Sequence, residues 1–470
     1  MSITEKRIDF NRLEKEIFTQ CHKMGRETLK KVLQEYDREL MNRRDKKEYR
    51  HKGHQKTVIK TVMGEVEYSR AIYEKKNDDG TKIFVYLLDE AMGIKGSGFM
   101  SGLLSGQIAE AVCAGTYRSA ARSISEMTGQ RISHQAAWNV TQHLGEEVDK
   151  QEERLAALAA NNEGGGQLET KVLFEEKDGI WLHLQGKDRK KYGKSCEMKV
   201  AIAYDGAEPI GKKRYRLTNK VAAANFESAG KFHKRKEGII ANDYNTDEIE
   251  TRIVNGDGAS WIKQGGIDDM AHFQLDTFHR NKAIVKAAPD ENARKTMFKL
   301  LYSKEIDDLL IYIDALANSV GDEEQAEKLR TLHIYFTNNR EGLISYKRRG
   351  LDLPQPPEGK EYRGMGAMES NIFTIIGNRM KGGRACWSVD GGNNLARLLT
   401  LKHTGKLHSV LNGVANWTLP ERYAEEVTMT SSKAPKYDGK GYQPPRAGTF
   451  PATDDYKFLR NFGRIDGVFA

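Results

Sequence analysis

The stretch TKVLFEEKDGIWLHLQG (residues 170–186) decides how this chain is read. Branched, aromatic and aliphatic residues crowd both sides of Asp178-Gly179, which predicts two strands hinged at that dipeptide. Moving outward, KSCEMKVAIAYDGAEPIG (194–211) supplies a third strand, and a helical stretch runs from about Asn225 to Ala241. IETRIVNGDGASWI (249–262) reads as a fourth strand ending at Asp257-Gly258, and HFQLDTFHRNKAI (272–284) holds a fifth. Strands mixed with helices predict an α/β core. It comes in two parts, residues 168–280 and 361–415, split by a long, charged helical insertion over 281–360 that Pro354–Pro357 closes.

Upstream the period changes twice. Residues 1–55 form a basic helical region in which Ile8, Phe10, Leu13, Ile17 and Phe18 recur at helical spacing. Residues 56–100 switch to β-branched and aromatic runs around Asn77-Asp78-Asp79-Gly80, a small sheet of about three strands. Residues 101–160 are helical again. Within them Thr116–Gly145 has the outline of a helix-turn-helix: one helix ends near Met127, Thr128-Gly129 turn, and Ser133 caps the next. Its second helix would offer Ser133, His134, Gln135 and Asn139 to a major groove. Two helices packed in a bundle give the same pattern. Ala156–Gln167 has the composition of a linker, and residues 416–470, rich in Gly, Pro, Ser and Lys, read as an irregular tail.

Composition bounds the function. At 470 residues the chain exceeds one ordinary core. No apolar run reaches about 18 residues, so neither a membrane span nor a membrane partner is expected. The N-terminus lacks the apolar segment of a signal peptide. Four scattered cysteines without a CxxC point to a reducing cytoplasm. The net charge of +9 is modest, but basic residues cluster. Arg43, Arg44, Lys46 and Lys47 open the run Arg43–Lys60, and Lys187–Lys194 and Lys212–Arg216 follow. Each is a solvated face or a polyanion site; together they suit nucleic acid. No GxSxG, P-loop or HExxH supports a small-molecule substrate.

Three acids stand out. Asp178 and Asp257 share the context DGIW and DGASW, at strand ends where a sheet edge could gather them, although an isolated Asp-Gly is also an ordinary turn. Glu369, in GAMESNIFTIIGNRMKGGRACWSVDGG (366–392), is followed by Ile372, Phe373, Ile376 and Met380 at helical spacing. That spacing predicts a side chain on the face packed against the sheet. Three such carboxylates would suit two magnesium or manganese ions about 4 Å apart, arranged for in-line phosphoryl transfer. After Glu369, Arg379, Lys381 and Arg384 would neutralise phosphates. Trp387 reads as core in preference to a base-stacking platform.

DGIWLHLQG, VNGDGASWI, FQLDTFHRNKAI and GAMESNIFTIIGNRMKGGRACWS together resemble the ISLre-type insertion-sequence transposases of bacteria, which are similar to the Mutator-like DDE transposases. The resemblance runs from the N-terminal helices to about residue 415. It implies an RNase H-like catalytic core with a helical insertion, preceded by a DNA-binding region, and a catalytic triad on Asp178, Asp257 and Glu369. Mutator-like relatives carry a Cys and a His soon after the second Asp. Here His272 and His279 occur without Cys; His279 matches the motif histidine, with Arg280 and Asn281 following as in relatives. His279 would either contact DNA or hydrogen-bond near the site. The function so implied is magnesium-dependent cleavage and strand transfer at double-stranded element ends, by a homodimer or larger synaptic assembly, in the cytoplasm and on the nucleoid. The alternatives are an RNase H-fold nuclease that does not join ends, and a catalytically silent DNA-binding protein.

Overall fold

The computed structural model describes residues 9–77, 79–94, 100–263, 271–414 and 418–423. Helix α1 (Phe10–Arg43) starts where the Asp9 carboxylate accepts the Asn11 N–H. It lies on a three-stranded antiparallel sheet of β1 (Arg50–Thr61), β2 (Gly64–Lys76) and β3 (Lys82–Val85). Val66, Tyr68, Ala71 and Tyr73 of β2 are buried. The buried Asp37 of α1 accepts the Ala71 N–H at 2.9 Å. The expected three strands form, with β1 beginning inside the basic run. A short helix, α2 (Leu87–Met92), ends this module.

Helices α3 (Gly102–Ala114), α4 (Tyr117–Thr128) and α5 (His134–Ala160) follow. Thr116 and Ser133 cap α4 and α5, and Gly129 ends α4 at φ 63°. The helix boundaries expected of a helix-turn-helix are therefore present. But α5 continues through Ala156–Ala160 and packs tightly on the core. A Cβ at Gly238 would lie 2.5 Å from the Ala156 nitrogen, and one at Gly145 would lie 2.4 Å from Cβ of Asn394.

The main sheet follows. Its elements are β4 (Val172–His183), α6 (Gly186–Tyr192), β5 (Ser195–Tyr204), the hairpin β6 (Ala207–Gly211) and β7 (Arg214–Leu217), and β8 (Val221–Asn225). Then come α7 (Ala229–Asp243), β9 (Thr251–Gly256), α8 (Ser260–Lys263), β10 (Ala271–Leu275) and α9 (Thr277–Ala287). The strand order is β10-β9-β4-β5-β8; β5 runs antiparallel to β4 and β8, and β9 and β10 run parallel to β4.

Two expectations are corrected here, and a strand is added. Residues 194–211 are not one strand but β5 and β6, parted at Asp205-Gly206 and in different sheets. Residues 172–183 are one strand: Gly179 does not turn the chain but pairs in register with Lys199. Glycine leaves room there for the Glu197 side chain, whose carboxylate would lie 2.1 Å from a Cβ and would have to swing aside for a larger residue. The strand VAAAN was missed because alanine carries no strand signal; tertiary burial alone makes it β.

The insertion is helical as expected: α10 (Glu291–Ser303), α11 (Ile306–Ser319) and α12 (Glu323–Asn338). Met297, Leu309, Ile313, Leu329 and Phe336 join Trp261, Phe273 and Leu275 in one cluster, so the insertion packs on the sheet edge. Beyond an irregular stretch come α13 (Met368–Ile372), a π-helical turn (Phe373–Gly377), α14 (Asn378–Met380), α15 (Val389–His403) and α16 (Leu407–Val414). The second helix of this region, expected over Asn393–Val410, is thus two helices broken at Thr404-Gly405.

Residues up to Thr418 form one unit. Of the second, Leu419–Ala470, only residues 419–423 are described, a turn closed by the Tyr423 N–H on the Pro420 carbonyl; the expected tail otherwise lies outside the described residues. Among the described residues no helix is long and apolar enough to cross a membrane.

Candidate functional site at the end of the sheet

Strand register brings the acids together. Lys177 pairs with Gly256 across β4–β9, and Gly256 with Leu275 across β9–β10. One residue further on, Asp178, Asp257 and Asp276 stand at one level on three adjacent parallel chains. They point to one side because strand side chains alternate. They line a cleft of about 20 Å³, room for a water or two, together with His279 and Glu369. The cleft sits outside the carboxyl ends of β9 and β10, where parallel strands expose their following loops.

One step deeper on the same face lies a second row, Glu176, Asn255 and Gln274. Here every polar group is satisfied. The Asn255 amide donates to Glu176 Oε2 (3.2 Å) and Asp276 Oδ1 (3.1 Å), and its oxygen accepts from Gln274 (3.2 Å). Glu176 is fully buried and also accepts from Tyr204 (2.7 Å) and from the N–H groups of Gly366 (3.0 Å), Ala367 (3.2 Å) and Met368 (3.1 Å). It thereby pins the start of α13, and the next residue is Glu369.

Two other elements fix the outer row. The Tyr335 hydroxyl of α12 donates to the Asp257 carbonyl at 2.7 Å, and the Asp257 carboxylate accepts the Ala259 N–H at 2.9 Å. Gly258 holds φ +86° with Asn339 against it, a conformation and a space that require glycine. Asp276 caps α9 by accepting the His279 N–H, and its Oδ2 lies 3.0 Å from His279 Nδ1.

Glu369 is not where the helical spacing predicts. It is exposed at the cleft mouth, whereas Met368, Ile372, Ile375, Ile376 and Met380 are buried and Phe373 is 63% exposed. The π-helical turn inserts one residue, so the apolar face slips relative to a regular helix. Open to water, the carboxylate needs no buried partner.

The electrostatics reflect crowding. Burial pushes the Asp178 carboxyl up to about 6, and Asp257 and Asp276 add to it; the Gly179 N–H and His279 oppose. The bond to Asp276 raises His279, helped by Asp178 and Asp257. Burial also raises Glu197 on β5, with Asp257 adding to the effect. Asp178, Asp257, Asp276 and Glu369 are the side chains that could hold a hard divalent cation. Among the described residues no three are already drawn into a tight ligand set, so the carboxylates must converge to bind one.

The remaining predicted residues divide. Arg280 is buried, donating to the Leu343 carbonyl (2.7 Å) and to Asn281 (3.0 and 3.1 Å), so both are spent within the fold rather than offered to DNA. Arg379 donates to the Val112 carbonyl (2.7 Å) beneath the rings of Tyr117 and Trp387. Trp387 is core, as expected, and donates to the Met380 carbonyl (2.8 Å). Lys381 and Arg384 are exposed beside them.

On α5 the Ser133 hydroxyl is used as a cap, while His134, Gln135 and Asn139 are exposed. Arg43 pairs with Glu39 (2.7 Å) and Arg44 with backbone carbonyls; Lys46 and Lys47 are exposed. His272 is half-buried on β10. Sequence reasoning missed Asp276, Glu176 and Asn255. The signal was there: an Asp between a strand and a helix start, and a Glu pair inside an apolar strand.

The chain is thus a mixed α/β protein with a carboxylate-lined cleft at the end of its central sheet. It belongs to an uncharacterised protein family, UPF0236, whose model matches residues 3–413. A UPF0236 protein from the vanSb 3′ region of Streptococcus gallolyticus is 25% identical over 406 residues, 84% of this chain and 83% of that one. Another, from Caldanaerobacter subterraneus subsp. tengcongensis, is 25% identical over 387 residues, 82% of this chain and 75% of that one. Its name joins eleven locus designations; a third relative, 24% identical and from the same organism, joins four.

Proposed function

We propose that this chain is a DNA transposase of an insertion sequence, cutting and joining DNA with divalent metal ions held by Asp178, Asp257 and Glu369. The carrying observation is that Asp178 on β4 stands level with Asp257, the residue just past the parallel β9, while Glu369, more than a hundred residues later, lines the same cleft. An antiparallel β4-β5-β8 meander extended by parallel β9 and β10 supports an RNase H-like core. Relatives named for many loci in one organism fit a gene that multiplies within genomes.

The oxygen-rich donor set fits magnesium or manganese, and such ions would activate a water or a 3′-hydroxyl and stabilise the leaving oxygen. The chain's own part is to gather charge. Asp178 and Asp257 are held at fixed spacing by the sheet. Glu369 closes the set from α13. Asp276 raises the pKa of His279 and holds its ring at the cleft, where the phosphate would lie. Two element ends must be handled together, which calls for a dimer or larger assembly on double-stranded DNA.

The test is incubation of the protein with its gene's native flanking DNA and magnesium, wild type against Asp257→Asn. Wild type should give cut and joined ends. Asp257→Asn should lose about a thousandfold, the scale for removing one element of a preorganised electrostatic site. Cutting without joining would make the protein a nuclease. Binding by both proteins with no cutting by either would make it a DNA-binding protein only.

A further inference from the structure

A second, larger cleft lies on the other side of α13. It encloses about 780 Å³ between the β6–β7 hairpin, α13 and the end of α15, and its walls carry Arg216, Lys220, Arg363, His403 and Lys406. Most of these cations have local partners: Arg216 pairs with Glu208, Arg363 with Glu361 and Lys406 with Asp243. Lys220 does not. Its ammonium donates to the neutral Asn371 amide oxygen at 2.9 Å, and among the described residues no carboxylate lies within ion-pair distance.

Lys220 is half-buried, and burial alone pushes its pKa down. Burial, Lys220 and Lys402 in turn lower that of His403. A desolvated cation without a counter-ion is costly, and an incoming anion removes that cost. At the cleft wall the Arg363 guanidinium lies 3.4 Å from the ring centre of the partly exposed Tyr215. A cationic wall with a planar stack suits a nucleic-acid strand better than an isolated anion, for which the volume is far too large.

Position decides which strand. The segment Gly364–Asn371 divides the two clefts. Gly366, Met368 and Glu369 face the acids, while Gly364, Ala367, Ser370 and Asn371 face the cations. Resting on the reading of the chain as a DNA-cutting enzyme, we propose that the cleft lined by Lys220 and Arg363 holds the phosphodiester backbone of the DNA strand that leaves the acid cleft across α13. Lys220 neutralises one phosphate, and Arg363, whose pair with Glu361 is exposed to solvent and weak, turns to another. The Lys220–Asn371 bond then ties the seated strand to the helix that presents Glu369.

The experiment measures binding of the full chain to labelled flanking DNA over a range of salt concentrations. Lys220→Gln should weaken binding and reduce the slope of log affinity against log salt by about 1, and Lys220→Gln with Arg363→Gln by about 2. Lys220→Arg should keep the wild-type slope. The exposed Arg363→Gln alone should lower the slope by about 1 without disturbing folding, so a misfolded Lys220 variant does not remove the test. Wild-type slopes in both single variants would overturn the proposal, as would variants that alter only inhibition by inorganic phosphate. Magnesium-dependent cutting by wild type against Asp257→Asn, scored on the same DNA, reads the transposase assignment separately. Lowered slopes without any cutting would sink that assignment and leave the cleft as a DNA-binding surface.

Discussion

On one face of β4 the carboxylates of Glu176 and Asp178 meet backbone N–H groups, a few side-chain donors and other acids; on the opposite face Glu175 meets Lys177, Lys236 and Arg252. Glu175 is fully buried, and burial alone would raise its pKa. Lys236 of α7, Lys177 and Arg252 outweigh burial and hold it well below the usual carboxylate range. Asp178, three residues away, has only the Gly179 N–H and His279 against burial and two neighbouring aspartates, and it is pushed up to about 6. The cation-lined face is internally neutralised and closed. The acid-lined face is left short of positive charge at an open cleft, the condition under which an external cation binds.

That contrast can be broken at both faces. The largest effect is expected at the closed one. Glu175→Gln takes from Lys177 its ion partner, leaving Lys236 and Arg252 to Glu237 alone, and should cost about 3–5 kcal/mol in denaturant unfolding. A loss below about 1 kcal/mol would mean that water reaches this network.

Next is Glu176→Gln, which puts an amide where three backbone N–H groups, the Asn255 amide and a hydroxyl all donate. It should loosen α13 and raise the magnesium concentration for half-maximal cutting by about 10–100-fold, the range for groups that orient metal ligands. Glu176→Asp should recover part of this. Equal maximal rates at unchanged magnesium demand would show that α13 is held by other contacts.

The smallest effect is a gain. The folded carboxyl of Asp178 sits at about 6 against an ordinary 3.8, so the native state binds more protons between these values. Stability without metal should therefore fall as pH rises through that window. Asp178→Asn should be about 2 kcal/mol more stable than wild type above pH 6 in chelator, with the difference vanishing below about pH 4. Magnesium should stabilise wild type and not the variant.

Much of the fold is legible in the chain, and the failures are specific. Residues 101–160 and the insertion announce themselves by helical spacing and capping residues, because those signals are local. Asp178-Gly179 misleads because the dipeptide's turn chemistry is local too, while its strand role depends on Val200 and Lys199 lying across from it on β5. Arg280 and Arg379 look like phosphate ligands in sequence; the carbonyls of Leu343 and Val112, dozens or hundreds of residues away, take them out of play. Asp276 escapes notice because its meaning is a register, one residue past Leu275 opposite Gly256.

The sequence by itself determined the helices of residues 101–160, the three-stranded sheet before them and the helical character of the insertion, since composition and period act over a few residues. Only the tertiary structure decided that Asp178, Asp257 and Asp276 share one level, that Glu176 pins the helix bearing Glu369, and that Met368 and Ile372 take the buried face and leave Glu369 open to solvent. Those facts depend on strand pairing and hydrogen bonds between residues up to 192 apart, which no local pattern encodes.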